Sequence, residues 1–213
     1  MSTAGLTTGF APVDPAPCNA LHATAAGLLV PETLIQVDPG LTVTPPADGD
    51  CPQIWRIGVD SAWVDTGTLS FGHNLTGASR AWEVVTEVPK LTIPRAGTWE
   101  VNFQVRGVAV LPAPGAANID SGVIAGIYKN GTLVPGTEVL AVYYTQSAGD
   151  QGGQMQATGS RQFMHSFNAG DTVQLGAYRL GTAAGATASI ASNGDGRTSI
   201  TAHWVAPQGD GAS

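Results

Sequence analysis

The side chains able to do chemistry are few in this 213-residue chain, and they do not gather into a working pattern. The four histidines, His22, His73, His165 and His203, are dispersed and lack metal-ligand spacing, so each reads as an ordinary surface or interface residue. Asp60 and Asp65 stand among Trp55 and Trp63, which is the composition of a glycosidase pair, but turn and strand-end carboxylates explain them with fewer assumptions. Asn193-Gly194-Asp195-Gly196 resembles the start of a calcium loop and lacks the remaining acidic ligands, so a tight turn is expected there. No glycine-rich phosphate loop followed by Lys, no His-Glu-x-x-His and no Gly-x-Ser-x-Gly occurs. The chain is therefore expected not to be an enzyme, with no catalytic, cofactor-binding or metal-binding residues.

The two cysteines, Cys18 and Cys51, flank a polar, proline-containing stretch. A disulfide between them closes a loop of about 30 residues and contributes on the order of 3 kcal/mol. Two buried free thiols are the other reading, and a reducing compartment favours it. Asn74-Leu75-Thr76 has the form of a glycosylation acceptor. The opening Met1-Ser2-Thr3-Ala4-Gly5 has neither a charged nor an apolar leader region, so assembly in a host cytoplasm is expected.

Composition limits the elements that hold these residues. Charged residues make up 12% of the chain, against roughly 25% in a typical soluble domain. Glycine (28) and proline (14) are plentiful, which suits strands and turns rather than helices. So little charge also suits a surface partly covered by partners. The net charge of −7, with nine scattered Lys and Arg, argues against nucleic acid and against an anionic membrane. No apolar run approaches the roughly 20 residues of a membrane helix.

Residues 1–53 read as an extended arm. Prolines interrupt it from Pro12 to Pro52, only 20–30 has some helical character, and 33–37 and 41–44 each suit a short strand. Residues 54–206 read as one β domain whose first strand is 54–59, and 207–213 as a polar tail. The clearest strand is 98–106, where Trp99, Val101, Phe103 and Val105 alternate with Thr98, Glu100, Asn102, Gln104 and Arg106. The same alternation places Val173, Leu175, Ile200 and Trp204 in the core. Asn130-Gly131 between two strand-like runs predicts a hairpin. Eight to ten short strands separated by turns predict an all-β sandwich or jelly roll.

The order of landmarks carries a resemblance. Pro94-Arg95-Ala96-Gly97-Thr98-Trp99-Glu100-Val101 resembles a strand motif of TNF/C1q-like jelly rolls, with Trp99 where that family usually has Tyr. Lys129-Asn130-Gly131 resembles that family's hairpin, and Ala169-Gly170-Asp171-Thr172-Val173 its later turn and strand. The resemblance spans roughly residues 54–206 and implies a TNF/C1q-like jelly-roll sandwich that forms homotrimers. Within the arm, Cys18-Asn19-Ala20-Leu21, Gly27-Leu28-Leu29-Val30-Pro31 and Asp50-Cys51-Pro52-Gln53-Ile54-Trp55 are similar to segments of structural proteins from actinobacterial phages.

These readings lead to a non-enzymatic phage virion protein: a capsid decoration, head-fibre or minor tail subunit. It is expected to trimerise through its jelly roll and to bind other virion proteins through its arm. If the strands at 98–106, 172–180 and 198–205 share one sheet, Asn102, Gln104, Gln174, Tyr178 and His203 form a low-charge trimer interface. The alternative is a module binding carbohydrate or a receptor, such as a host surface glycan, through exposed Trp63, Trp82 or Tyr144.

Overall fold

In the computed structural model, residues 22–24, 27–29, 35–37, 41–47, 54–59, 61–67, 69–115 and 117–207 are described. The chain divides into two units, Met1–Asp60 and Ser61–Ser213. No described residue is helical, and among them no helix is long and apolar enough to cross a membrane. Cys18 and Cys51 lie outside the described residues, as do Asp60 and 208–213 of the expected tail.

Among its described residues the first unit holds two antiparallel pairs. Strand β1 (His22–Thr24) pairs with β2 (Gly27–Leu29), and β3 (Leu41–Thr44) with β4 (Arg56–Val59). Three expectations are corrected here. The stretch 20–30 contains paired strands in place of a helix, because so short a run cannot offset the cost of nucleating a helical turn. Residues 56–59 do not open the jelly roll: they pair with β3, leave Ile57 exposed, and belong to the first unit. Residues 35–37 are irregular.

The second unit is a sandwich of two antiparallel sheets. Its strands are β5 (Trp63–Asp65), β6 (Phe71–Asn74), β7 (Glu83–Val84), β8 (Leu91–Thr92), β9 (Gly97–Leu111), β10 (Ile119–Lys129), β11 (Thr132–Leu133), β12 (Val139–Gln146), β13 (Gly153–Phe167), β14 (Thr172–Leu180), β15 (Thr187–Ser192) and β16 (Ser199–Ala206). In the first sheet β13 runs along the whole of one edge of β9, while β15 and β16 share the other edge. The Asn193–Gly196 turn interrupts what is otherwise one long strand, and β5 and β6 flank its two halves. The second sheet runs β7/β8, β14, β10, β12, with β11 completing a hairpin on β10. First, eighth, third and sixth strands therefore form one sheet, and second, seventh, fourth and fifth the other, once the paired short segments are counted together. That order is a jelly roll.

The alternation at β9 sends Trp99, Val101, Phe103 and Val105 inward, where they are at most 1% exposed. Val173 and Leu175 from β14 meet them from the opposite sheet, and Ile200 and Trp204 from β16 pack beside them. Indole N–H groups are costly to bury unsatisfied. Trp99 donates to the Arg95 carbonyl at 3.1 Å, and Trp204 to that of Ala96 at 3.1 Å. The predicted hairpin forms at Asn130 (φ 50°) and Gly131 (φ 79°), both in the left-handed region its tight turn requires. Asn130 also ties this turn to the next motif, donating to Asp171 at 2.7 Å and accepting from the Thr172 amide at 2.8 Å.

Candidate functional site

With the core facing inward, each sheet presents one outer face, and the five residues expected to share a face are divided between them. Asn102, Gln104 and His203 lie on the β16–β9–β13 sheet, whereas Gln174 and Tyr178 lie on β14 in the other. The single-sheet premise is thus corrected. Period-2 patterning tells which residues of a strand share a side, not which sheet that strand joins.

On the first outer face the register aligns His203, Glu100 and Met164 in one row. Thr201, Asn102 and Gln162 form the next row, and Ser199, Gln104 and Ser160 the one after. Gln104 donates to the Ser199 hydroxyl at 3.4 Å. Arg106 continues the lane toward Thr158, its guanidinium donating to Gln156 at 2.7 Å and to the Asp195 carbonyl at 3.3 Å. The face is a carpet of hydroxyls and amides with few charges. At its His203 end exposed apolar groups flank Glu100: Trp63, 63% exposed, stacks on His203 with ring centroids 4.3 Å apart, and Met164 is 62% exposed.

On the second outer face Gly126 and Gly176 are paired across β10 and β14 and form a floor without side chains. Tyr128 and Trp82 lie over it, so that a methyl at Gly176 would collide with the Tyr128 ring and one at Gly126 would come within 3.0 Å of Trp82. Trp82 meets Tyr178 and Tyr128 edge-on at 4.7 and 6.1 Å. This half-buried trio pins the segment before β7 onto the sheet. Trp82 and Tyr178 were each legible as aromatic candidates; their joint role depended on the glycine pair, which no local pattern singles out.

No family model matches the chain, and no curated protein does. Among solved structures it is similar to the Eiger TNF of S. frugiperda, at 13% identity over 68% of this chain and 98% of that one, with a TM-score of 0.30. The jelly-roll assignment rests on the strand order given above.

The remaining candidates have structural surroundings. His73 and Glu87 pair at 2.6 Å. Burial, and then the charge of Lys129, hold His165 below the usual imidazole range, with Asp171 opposing them; its ring sits edge-on to Phe167 at 5.0 Å. His203 shares a hydrogen bond with the Ser61 hydroxyl at 3.1 Å. Asp65 accepts from the Gly67 amide at 2.7 Å, as a turn carboxylate does. Asn193 accepts from the Asp195 amide at 3.0 Å, closing the turn that had resembled a calcium loop. Among the described residues no three His, Cys, Asp or Glu side chains gather as metal ligands. Tyr144 packs against the core, which removes it from the exposed aromatics.

Proposed function

We propose that the chain is a structural subunit of a phage particle whose jelly roll joins copies of itself as a trimer. The first unit anchors the subunit to other virion proteins. The observation that carries the self-assembly is the outer face of β16, β9 and β13. A sheet face left permanently in water is normally rich in Lys and Glu, whereas Asn102, Gln104, Ser160, Gln162, Ser199 and Thr201 are uncharged. Interfaces are depleted in charge and enriched in aromatic residues and Met, which suits exposed Trp63 and Met164 at one end of the lane. A closed threefold arrangement places each of these residues near its symmetry mates. The assignment to a phage particle draws on the likeness of the arm segments to phage structural proteins and on the small-residue composition.

Sedimentation of the full chain at micromolar concentration is expected to give a trimer. Gln104→Glu sets three like charges close together and shifts the species toward monomer, more strongly at low salt. A wild-type monomer, or an assembly indifferent to Gln104→Glu, refutes the interface. Imaging of native particles carrying the protein tests the virion assignment directly.

A further inference from the structure

The end of the sandwich away from Ser61 holds a cleft at the rim of the second outer face, on the side of β10 that also carries Gly126. It is open, about 400 Å³ in volume, and lined by Asn118, Ile119, Asp120, Tyr143, Thr145, Gln146 and Ser147. Pocket volumes of about 300–1,000 Å³ accommodate small ligands, but apolar walls are the rule for drug-like ones. Here the walls are mostly amide, hydroxyl and carboxylate.

The lining narrows the ligand chemistry. No Lys or Arg lines it; the charge of Arg80 reaches Tyr143 from outside the lining, while the Asp120 carboxylate within it repels phosphate, sulfate or an acidic sugar. One carboxylate, Asp120, falls short of the oxygen-rich shell a calcium ion requires. Tyr143 is 45% exposed, and its hydroxyl donates to Asp120 Oδ2 at 3.1 Å. Beneath it lies Gly122, where a methyl would come within 3.0 Å of the Tyr143 ring, so the glycine lets the ring settle against the sheet. Asn118 is held by accepting from the Ala148 amide at 3.0 Å, which leaves its NH₂ group to donate. Gln146, only 6% exposed, is fixed by donating to the Tyr144 hydroxyl at 2.9 Å and to the Gln151 carbonyl. Its side-chain oxygen is buried in the wall, so Gln146 braces the cleft rather than facing a ligand.

We propose that this cleft binds a neutral saccharide, stacked on Tyr143 and hydrogen-bonded to Asp120, Asn118, Thr145 and Ser147. A sugar ring presents an apolar C–H face, which suits an exposed aromatic ring. Its hydroxyls both donate and accept, so a carboxylate, an amide and two hydroxyls can serve them together. The Tyr143–Asp120 bond and the Ala148 contact to Asn118 hold these groups in place before binding, which lowers its entropic cost. Ser61 and Ala62 lie against His203 and Trp204, level with Trp99, whereas the cleft adjoins the Leu111–Gly153 end of the sheet. The two ends are separated by about 40 Å along β9, twelve residues at roughly 3.3 Å each. The site does not depend on the assembly proposed above, since every group lining it belongs to one chain.

The test is saturation-transfer NMR and calorimetry on the full chain with glucose, galactose, mannose, arabinose and N-acetylglucosamine, and with glucuronic acid as the anionic comparator. At least one neutral sugar is expected to bind, and glucuronic acid more weakly than any that does. Tyr143→Ala and Asp120→Asn are each expected to weaken binding about tenfold or more, the change that follows loss of one well-placed contact. Trp63→Ala and Trp82→Ala leave it unchanged. Should Tyr143→Ala fail to fold, Asp120→Asn and Thr145→Ala decide the case. No neutral sugar bound by the folded wild type, preference for glucuronic acid, or sensitivity to Trp82→Ala with indifference to Asp120→Asn each overturns the proposal.

Discussion

Gly97→Ala adds one methyl group where the closing strand meets the core, and the structure allows its cost to be worked out. Gly97 begins β9 at φ 148°, a conformation that L side chains rarely adopt, and holding one there costs about 1–3 kcal/mol. The new Cβ also falls inside van der Waals contact with the Trp204 indole nitrogen and the Ala206 carbonyl. The Ala206 carbonyl is backbone and the Trp204 ring is buried, so neither neighbour can swing away freely. Overpacking of this kind costs a further ~1–3 kcal/mol. The sum, about 2–6 kcal/mol, lowers Tm by roughly 4–24 °C, taking about 2–4 °C per kcal/mol for a domain of this size. Thermal melting followed by tryptophan fluorescence reads this directly, with buried Trp99 and Trp204 as reporters. Gly170→Ala separates the two terms, because Gly170 has φ 87° and nothing within 4 Å of the added methyl. It should show the conformational cost alone. If Gly97→Ala melts within about 1 °C of Gly170→Ala, the clash does not exist and the described junction of β9 with β16 is wrong.

Phe103→Ala removes a side chain that is 1% exposed between the two sheets and is expected to cost about 3–5 kcal/mol in chemical denaturation; a wild-type midpoint refutes the core assignment. A second expectation concerns acid stability. Burial raises the Asp171 carboxyl, but hydrogen bonds from Asn130 and the Asn168 amide, with the Lys129 ammonium at 3.3 Å, outweigh it and leave the group below its ordinary value. A depressed carboxyl stabilises the fold above its unfolded value, about 3.9, and the contribution is lost as pH falls through the lower folded value. Wild type and Asp171→Asn should therefore differ in Tm at neutral pH and converge on acidification; a constant gap refutes the linkage. Deleting residues 1–60 should leave a folded domain, because the Ser61–Ser213 unit contains its own core. A truncated chain without a cooperative melting transition contradicts that boundary.

Much of the β architecture was legible because strand patterning is local. The alternation from Thr98 to Arg106 needs only the sequence to declare that Trp99, Val101, Phe103 and Val105 share one side, and all four are buried. Asn130-Gly131 announced its hairpin for a similar reason, since the turn's backbone angles select those two residues. Residues 54–59 misled for the opposite reason. Their apolar content marks a strand but does not name its partner, and Arg56–Val59 pairs with Leu41–Thr44.

The candidate sites followed the same division. The sequence by itself determined that Asn102 and Gln104 face away from Val101 and Phe103, and that Gln174 and Tyr178 face away from Val173 and Leu175. Only the tertiary structure decided that these are two faces rather than one, because β9 pairs with β13 and β16 while β14 pairs with β10. The cleft beside Tyr143 is a further step removed. Asp120 and Tyr143 are brought together by the register that sets Asp120 opposite Thr145 and Gly122 opposite Tyr143. Period-2 alternation is written into each strand, whereas pairing and register are set by which distant strands bury their apolar faces together, a condition no single segment carries.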